Sequence, residues 1–227
     1  MPRSVVDYRL GGHEVYRLVS DTHEVFMRLP DEVLKSVVFL GREEHDPKTW
    51  RTKTIFRGTA FFVATPVGCG VNLLSLVTAK HVAERFEKTG PFCIRVNTHD
   101  GGSQTIWVDG GIDIRWVYHS NDDSVDAAVL IWTPPSNIAY KAIPSRMFLT
   151  PSVIQQKGIG VGDQTYATGL FTYLQGEARN MPIVRTGHVA MMPSELIPVK
   201  WRNTAIEGYL IETRSIGGLS YRATSWS

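Results

Sequence analysis

The chain has 227 residues, enough to bury a sizeable core as one domain or as two small ones sharing an interface. Its 43% hydrophobic and 20% charged residues are those of an ordinary globular protein, and a formal net charge of +2 is too small to imply a polyanionic partner. Lys and Arg are dispersed without a basic stripe, and apolar runs such as Val125 to Trp132 fall far short of the ~20 residues that cross a membrane, so neither nucleic acid nor a membrane is an expected partner.

The N-terminus, Met1-Pro2-Arg3-Ser4 and then Asp7, Arg9 and His13, has no apolar signal-peptide core, which predicts a cytoplasmic protein. Val5 to Leu10 and Glu14 to Val19 can pair as a hairpin across Gly11-Gly12, and residues 1–35 read as an N-terminal extension. Strand-like runs follow at Ser36 to Leu40, Gly58 to Thr65, Asn72 to Thr78, Phe92 to Asn97, Gln104 to Val108, Ile112 to Val117 and Asp126 to Trp132. Each is rich in Val, Ile, Phe or Trp and bounded by turn residues. Arg42 to Asp46 reads as a solvated loop. One short helix is expected at Ala79 to Lys88, with Val82, Ala83 and Phe86 on one face. Pro134-Pro135, Pro144 and Pro151 then break the pattern, so residues 133–157 read as a connector between a first β-unit (36–132) and a second (158–227). Strand-like runs resume at Gln164 to Leu170, Ile183 to Met192 and Ile206 to Glu212. Nothing leaves room for the crossover helices of a parallel α/β fold, so the chain reads as all-β.

Two cysteines, Cys69 and Cys93, are too few for a disulfide-stapled secreted domain. Two free, partly buried thiols are expected, a single bridge being the alternative, and their spacing is not that of a zinc site. Trp107, Trp116 and Trp132 fall on strand-like runs and are assigned to core or sheet surface. His188, in the run Pro182 to Val189, is assigned a structural role, with a place in a substrate cleft as the alternative.

The sharpest signal is Arg57-Gly58-Thr59-Ala60-Phe61-Phe62-Val63-Ala64 followed by Leu76-Val77-Thr78-Ala79-Lys80-His81-Val82. An apolar strand runs into small residues and a histidine that begins a helix, which places an imidazole at a rigid strand end. The next is Ser124-Val125-Asp126-Ala127-Ala128-Val129-Leu130-Ile131, a carboxylate at the rim of an apolar strand. Asp122 and Asp123 are rivals for its role, but Asn121-Asp122-Asp123-Ser124 reads as a solvated turn. The third is Ser215-Ile216-Gly217-Gly218-Leu219-Ser220, a glycine turn able to present a serine hydroxyl.

Together these segments resemble the trypsin-like (chymotrypsin-type) serine peptidases, especially their bacterial members, and they follow that family's His, Asp, Ser chain order. The resemblance implies a double β-barrel and a triad of His81, Asp126 and Ser220. It also implies an oxyanion hole built from the amides of Gly218 and Ser220, a protein or peptide substrate, and no cofactor or metal. Family members follow the serine with Gly and several further strands, whereas here Tyr221-Arg222-Ala223 follow. The second barrel is therefore expected to be incomplete, by truncation or degeneration, and the chain as written to have little or no proteolytic activity. A catalytically inactive barrel that binds peptides or proteins, and an esterase using the same residues, are the competing readings.

Overall fold

A computed structural model describes residues 4–10, 13–19, 29, 31–45, 48, 51–108, 115–171, 175–199, 204–206 and 208–213. Strands β1 (Ser4–Leu10) and β2 (His13–Val19) form the expected antiparallel hairpin, while Gly11-Gly12 lie outside the described residues. After a single turn of helix, α1 (Asp31–Leu34), come β3 (Val37–His45), β4 (Thr52–Gly68) and β5 (Val71–Thr78). The helix α2 (Lys80–Glu87) leads into β6 (Phe92–Asn97), β7 (Ser103–Val108), β8 (Trp116–Tyr118) and β9 (Ala128–Ile131). These seven strands make one antiparallel sheet in the order β7-β6-β3-β4-β5-β9-β8, and β10 (Ile143–Pro144) joins β4 in parallel.

The chain is all-β, as its composition and run lengths predict. The long strand β4 stays in one sheet by bending, with register shifts at Leu40/Gly41 against β3 and at Pro66/Gly68 against β5. One face of the sheet buries Leu40, Phe62, Leu76, Ile94, Val96 and Leu130, to which α2 adds Val82, Ala83 and Phe86. Phe62 stacks on Trp132 at 5.9 Å and tilts against Tyr140 at 4.6 Å. Aromatic pairs at such separations add about 0.5–1.5 kcal/mol each beyond the area they bury. Phe39, Phe56 and Cys93 gather in a second cluster, and pairing in the sheet places Phe39 opposite Arg95 and Gly41 opposite Cys93.

Leu170 completes that second cluster, and it belongs to a second sheet. After a 3-10 turn (Ser145–Met147) and α3 (Pro151–Lys157), β11 (Gln164–Leu170), β12 (Pro182–Met191) and β15 (Leu210–Thr213) pair antiparallel in that order. Between them, β13 (Ile197–Val199) and β14 (Thr204–Ile206) form a separate hairpin.

Two sequence expectations are corrected, on the Arg42 to His45 segment and on the burial of the thiols. Arg42 to His45 is strand, not loop: Glu44 bonds the guanidinium groups of Arg42 and Arg57, and the Arg57 bond above all holds its carboxyl down at about 2. The stretch 133–157, read as a connector, contains β10, the 3-10 turn and α3. Pro151 starts a helix because Thr150 caps it and a proline in the first turn sacrifices no helical hydrogen bond. The thiols are free, but Cys69 is exposed while Cys93 is fully buried. Of the three tryptophans, Trp116 and Trp132 are buried and Trp107 lies on the surface. Among the described residues no helix is long and apolar enough to cross a membrane.

Candidate functional site

Strand β5 ends at Thr78, whose hydroxyl donates to the Thr59 carbonyl at 2.7 Å and fixes the strand end against β4. Ala79 is extended and α2 starts at Lys80, with no side-chain cap from Ala79 and no acidic residue in the first turn. The first amides of a helix need acceptors from elsewhere. Asp126 supplies one: its Oδ1 accepts the backbone N–H of His81 at 3.0 Å. The other oxygen, Oδ2, lies 2.8 Å from His81 Nδ1. One carboxylate thus caps the helix and grips the imidazole.

The helix can approach β4 this closely because residue 58 is glycine. A Cβ there would sit 2.5 Å from Val82 Cγ1, inside any van der Waals contact. The Gly-Thr of the sequence signature therefore has a packing reason on each side: Gly58 admits the helix, and the Thr59 carbonyl anchors Thr78.

Asp126 lies just before β9 rather than inside it, and its side chain is only 9% exposed against 35% for His81. An ionised carboxylate only accepts, so Nδ1 carries the proton and Nε2 becomes the basic atom of the ring. The rival carboxylates are elsewhere. Asp122 is turned onto the hydroxyl and amide of Ser124, and the hydroxyl bond in particular keeps its carboxyl acidic. Asp123 is exposed and pairs with Lys80 Nζ at 2.8 Å. That ammonium also lies over the Tyr118 ring, 5.7 Å from its centre, and Tyr118 donates to Glu87 at 2.7 Å. Burial, reinforced by Glu87, pushes the Tyr118 phenol up. Lys80 thereby ties the turn bearing Asp126 to the start of α2, and Tyr118 ties β8 to its end.

Gly218 and Ser220 lie outside the described residues, as do Ser215 and Gly217; β15 ends at Thr213. His188 is exposed on β12 opposite Glu212, not buried as a structural histidine would be. Among the described residues no three His, Cys, Asp or Glu side chains are placed to hold a metal ion. Sequence reasoning passed over a polar group between the two sheets, in which Arg95 and Asn180 are buried and Asn97 is half-buried. The signal was a lone charge in the middle of the apolar run Phe92 to Asn97.

No protein-family model matches the chain, and no curated protein matches it. Among solved structures it is similar to the protease domain of MamO from Magnetospirillum magneticum, crystallised in its apo form, at 16% identity and a TM-score of 0.44. The match covers 74% of this chain and 66% of that one, so the chain spans a little under two thirds of that structure's length.

Proposed function

We propose that the chain is a serine peptidase on the trypsin-like plan, with residues 36–132 as its first β-barrel and 158–227 as a partial second one. His81 is the general base, Asp126 its orienting carboxylate and Ser220 the nucleophile. The observation that carries this reading is the pair of hydrogen bonds that His81 makes to the Asp126 carboxylate, from the helix amide at 3.0 Å and from the ring at 2.8 Å. A capping carboxylate needs only the first of these. The second fixes the tautomer that leaves Nε2 able to take a proton.

In this mechanism Nε2 of His81 accepts the Ser220 hydroxyl proton as the oxygen attacks a peptide carbonyl. The amides of Gly218 and Ser220 stabilise the resulting oxyanion, and the imidazolium then protonates the leaving amine. Asp126 stabilises the imidazolium without itself taking the proton. Water deacylates the serine in a second round of the same steps. The substrate class is protein or peptide, and no step calls for a cofactor.

A fluorophosphonate probe followed by peptide mapping tests the assignment, because it reads a single acylation-like event rather than turnover. Little or no peptide turnover is expected of this chain, so the adduct on Ser220 should form slowly and short of stoichiometry, and it disappears in both Ser220→Ala and His81→Ala. Stoichiometric labelling would overturn the expectation of low activity. A folded protein that forms no adduct yet binds peptides would replace the peptidase reading with that of a binding barrel.

A further inference from the structure

Arg95 is the only charged residue of β6, and it is 8% exposed. Among the described residues no carboxylate pairs with it. Its guanidinium instead meets backbone carbonyls from the turn that joins β11 to β12. Nη1 donates to Gln175 O at 3.2 Å, and Nη2 donates to Gly176 O and Glu177 O, each at 3.0 Å. Nε donates to the Ser103 hydroxyl at 3.1 Å, and that hydroxyl donates on to Ala178 O at 2.9 Å. Four consecutive carbonyls of the turn are thus collected by Arg95 and Ser103.

The turn is built for this. Gly176 has φ +75°, and a Cβ on it would lie 2.2 Å from Arg179 O, so only glycine fits. Next to it, Asn180 and Asn97 exchange bonds: the Asn180 amide donates to Asn97 Oδ1 at 2.7 Å, and Asn97 Nδ2 donates to Asn180 O at 3.2 Å. Asn180 Nδ2 also donates to Arg95 O at 2.7 Å, which closes the network. Carbonyl dipoles that converge on one buried point repel one another, and a cation there turns that repulsion into attraction. The planar five-donor fork of arginine suits the task as a point charge would not.

The turn leads directly into β12, and β12 holds β15 by pairing Gly187 with Thr213 and His188 with Glu212. We propose that Arg95 is a positioning residue: a buried latch that fixes the β11–β12 turn, and with it the β12–β15 pair, against the sheet that carries His81 and Asp126. The catalytic consequence rests on the peptidase reading, in which Ser220 follows β15 in the chain; the latch itself does not.

Hydrogen exchange read by mass spectrometry on the full chain tests it. Arg95→Lys keeps the charge and loses the fork; Gly176→Ala distorts the turn and leaves the cation in place. Both are expected to speed exchange roughly tenfold or more across residues 175–191 and 210–213 while β4 and β5 exchange as before. In Arg95→Ala, millimolar guanidinium ion is expected to restore the lost protection. Unchanged exchange at 175–191 in both of the first two variants overturns the latch, and so does a rise spread equally over β4 and β5. The rate of Ser220 modification by the fluorophosphonate probe is expected to fall in Arg95→Lys with the pH profile of that modification unmoved. A wild-type chain that is never modified defeats the peptidase reading and leaves the exchange result to decide the latch.

Discussion

Asp126 performs two tasks with one carboxylate, and substitution separates them. Asparagine caps helices about as well as aspartate, so in Asp126→Asn the amide oxygen still accepts the His81 N–H. Loss of the negative charge near the helix start removes about 0.3–1 kcal/mol at most. The amide nitrogen, however, now faces Nδ1 and donates to it, which drives the ring proton onto Nε2 and leaves no base. Folding stability should therefore stay within about 1 kcal/mol of wild type in urea titrations. The low-field proton resonance of His81 Nδ1 should vanish, and acylation of Ser220 should drop by roughly 10⁴-fold, as in the triad template. Asp126→Ala removes cap and partner together and should lose about 1–2 kcal/mol. Equal acylation in wild type and Asp126→Asn would reduce Asp126 to a helix cap.

At the level of elements, the segment from Arg57 to Val82 shows what sequence can and cannot deliver. The apolar face of α2, Val82, Ala83 and Phe86, was readable because burial on a helix recurs every three to four residues. Strands β6 and β11 fall where their apolar runs lie, Phe92–Asn97 and Gln164–Leu170. Arg42 to His45 was not readable, since a strand whose side chains face water and one another carries no hydrophobic period. Nor was α3, where the Pro that usually breaks a pattern instead begins one. Gly58 belongs to a third kind: the sequence marks it as part of a signature, and only packing explains it. A Gly→Ala change in open space gains about 0.4–1 kcal/mol by stiffening the unfolded chain. Here the new methyl meets a β-branched side chain at 2.5 Å, and Val82 has little rotamer freedom in a helix with which to retreat. The overpacking term, about 1–3 kcal/mol, should win, so Gly58→Ala is expected to lower the urea midpoint. It should also shift or broaden the His81 Nδ1 proton, because α2 must lift from β4. A variant as stable as wild type, with that resonance unmoved, would mean that the helix is not seated on Gly58.

Over the whole molecule, the two thiols offer a measure of whether the sheets behave as one body. Cys69 sits exposed at the tip of the β4–β5 hairpin. Cys93 is buried where Phe39 and Phe56 of the first sheet meet Leu170 of the second, and burial pushes its thiol up to about 11. At pH 8 only about one Cys93 thiol in a thousand would be ionised, and no reagent could reach it through Leu170. Ellman's reagent is therefore expected to modify Cys69 rapidly in the native protein and Cys93 only when the sheets part. In a Cys69→Ser background the Cys93 rate isolates that opening. If the second sheet is held chiefly by apolar contact with Leu170, Arg95→Lys leaves the rate unchanged. If the Arg95 carbonyl contacts hold it, the rate should rise roughly tenfold or more while the urea midpoint stays close to that of the Cys69→Ser parent. Cys93 that reacts no faster than global unfolding in either protein would show instead that the sheets never separate short of unfolding, and that cluster and latch break together.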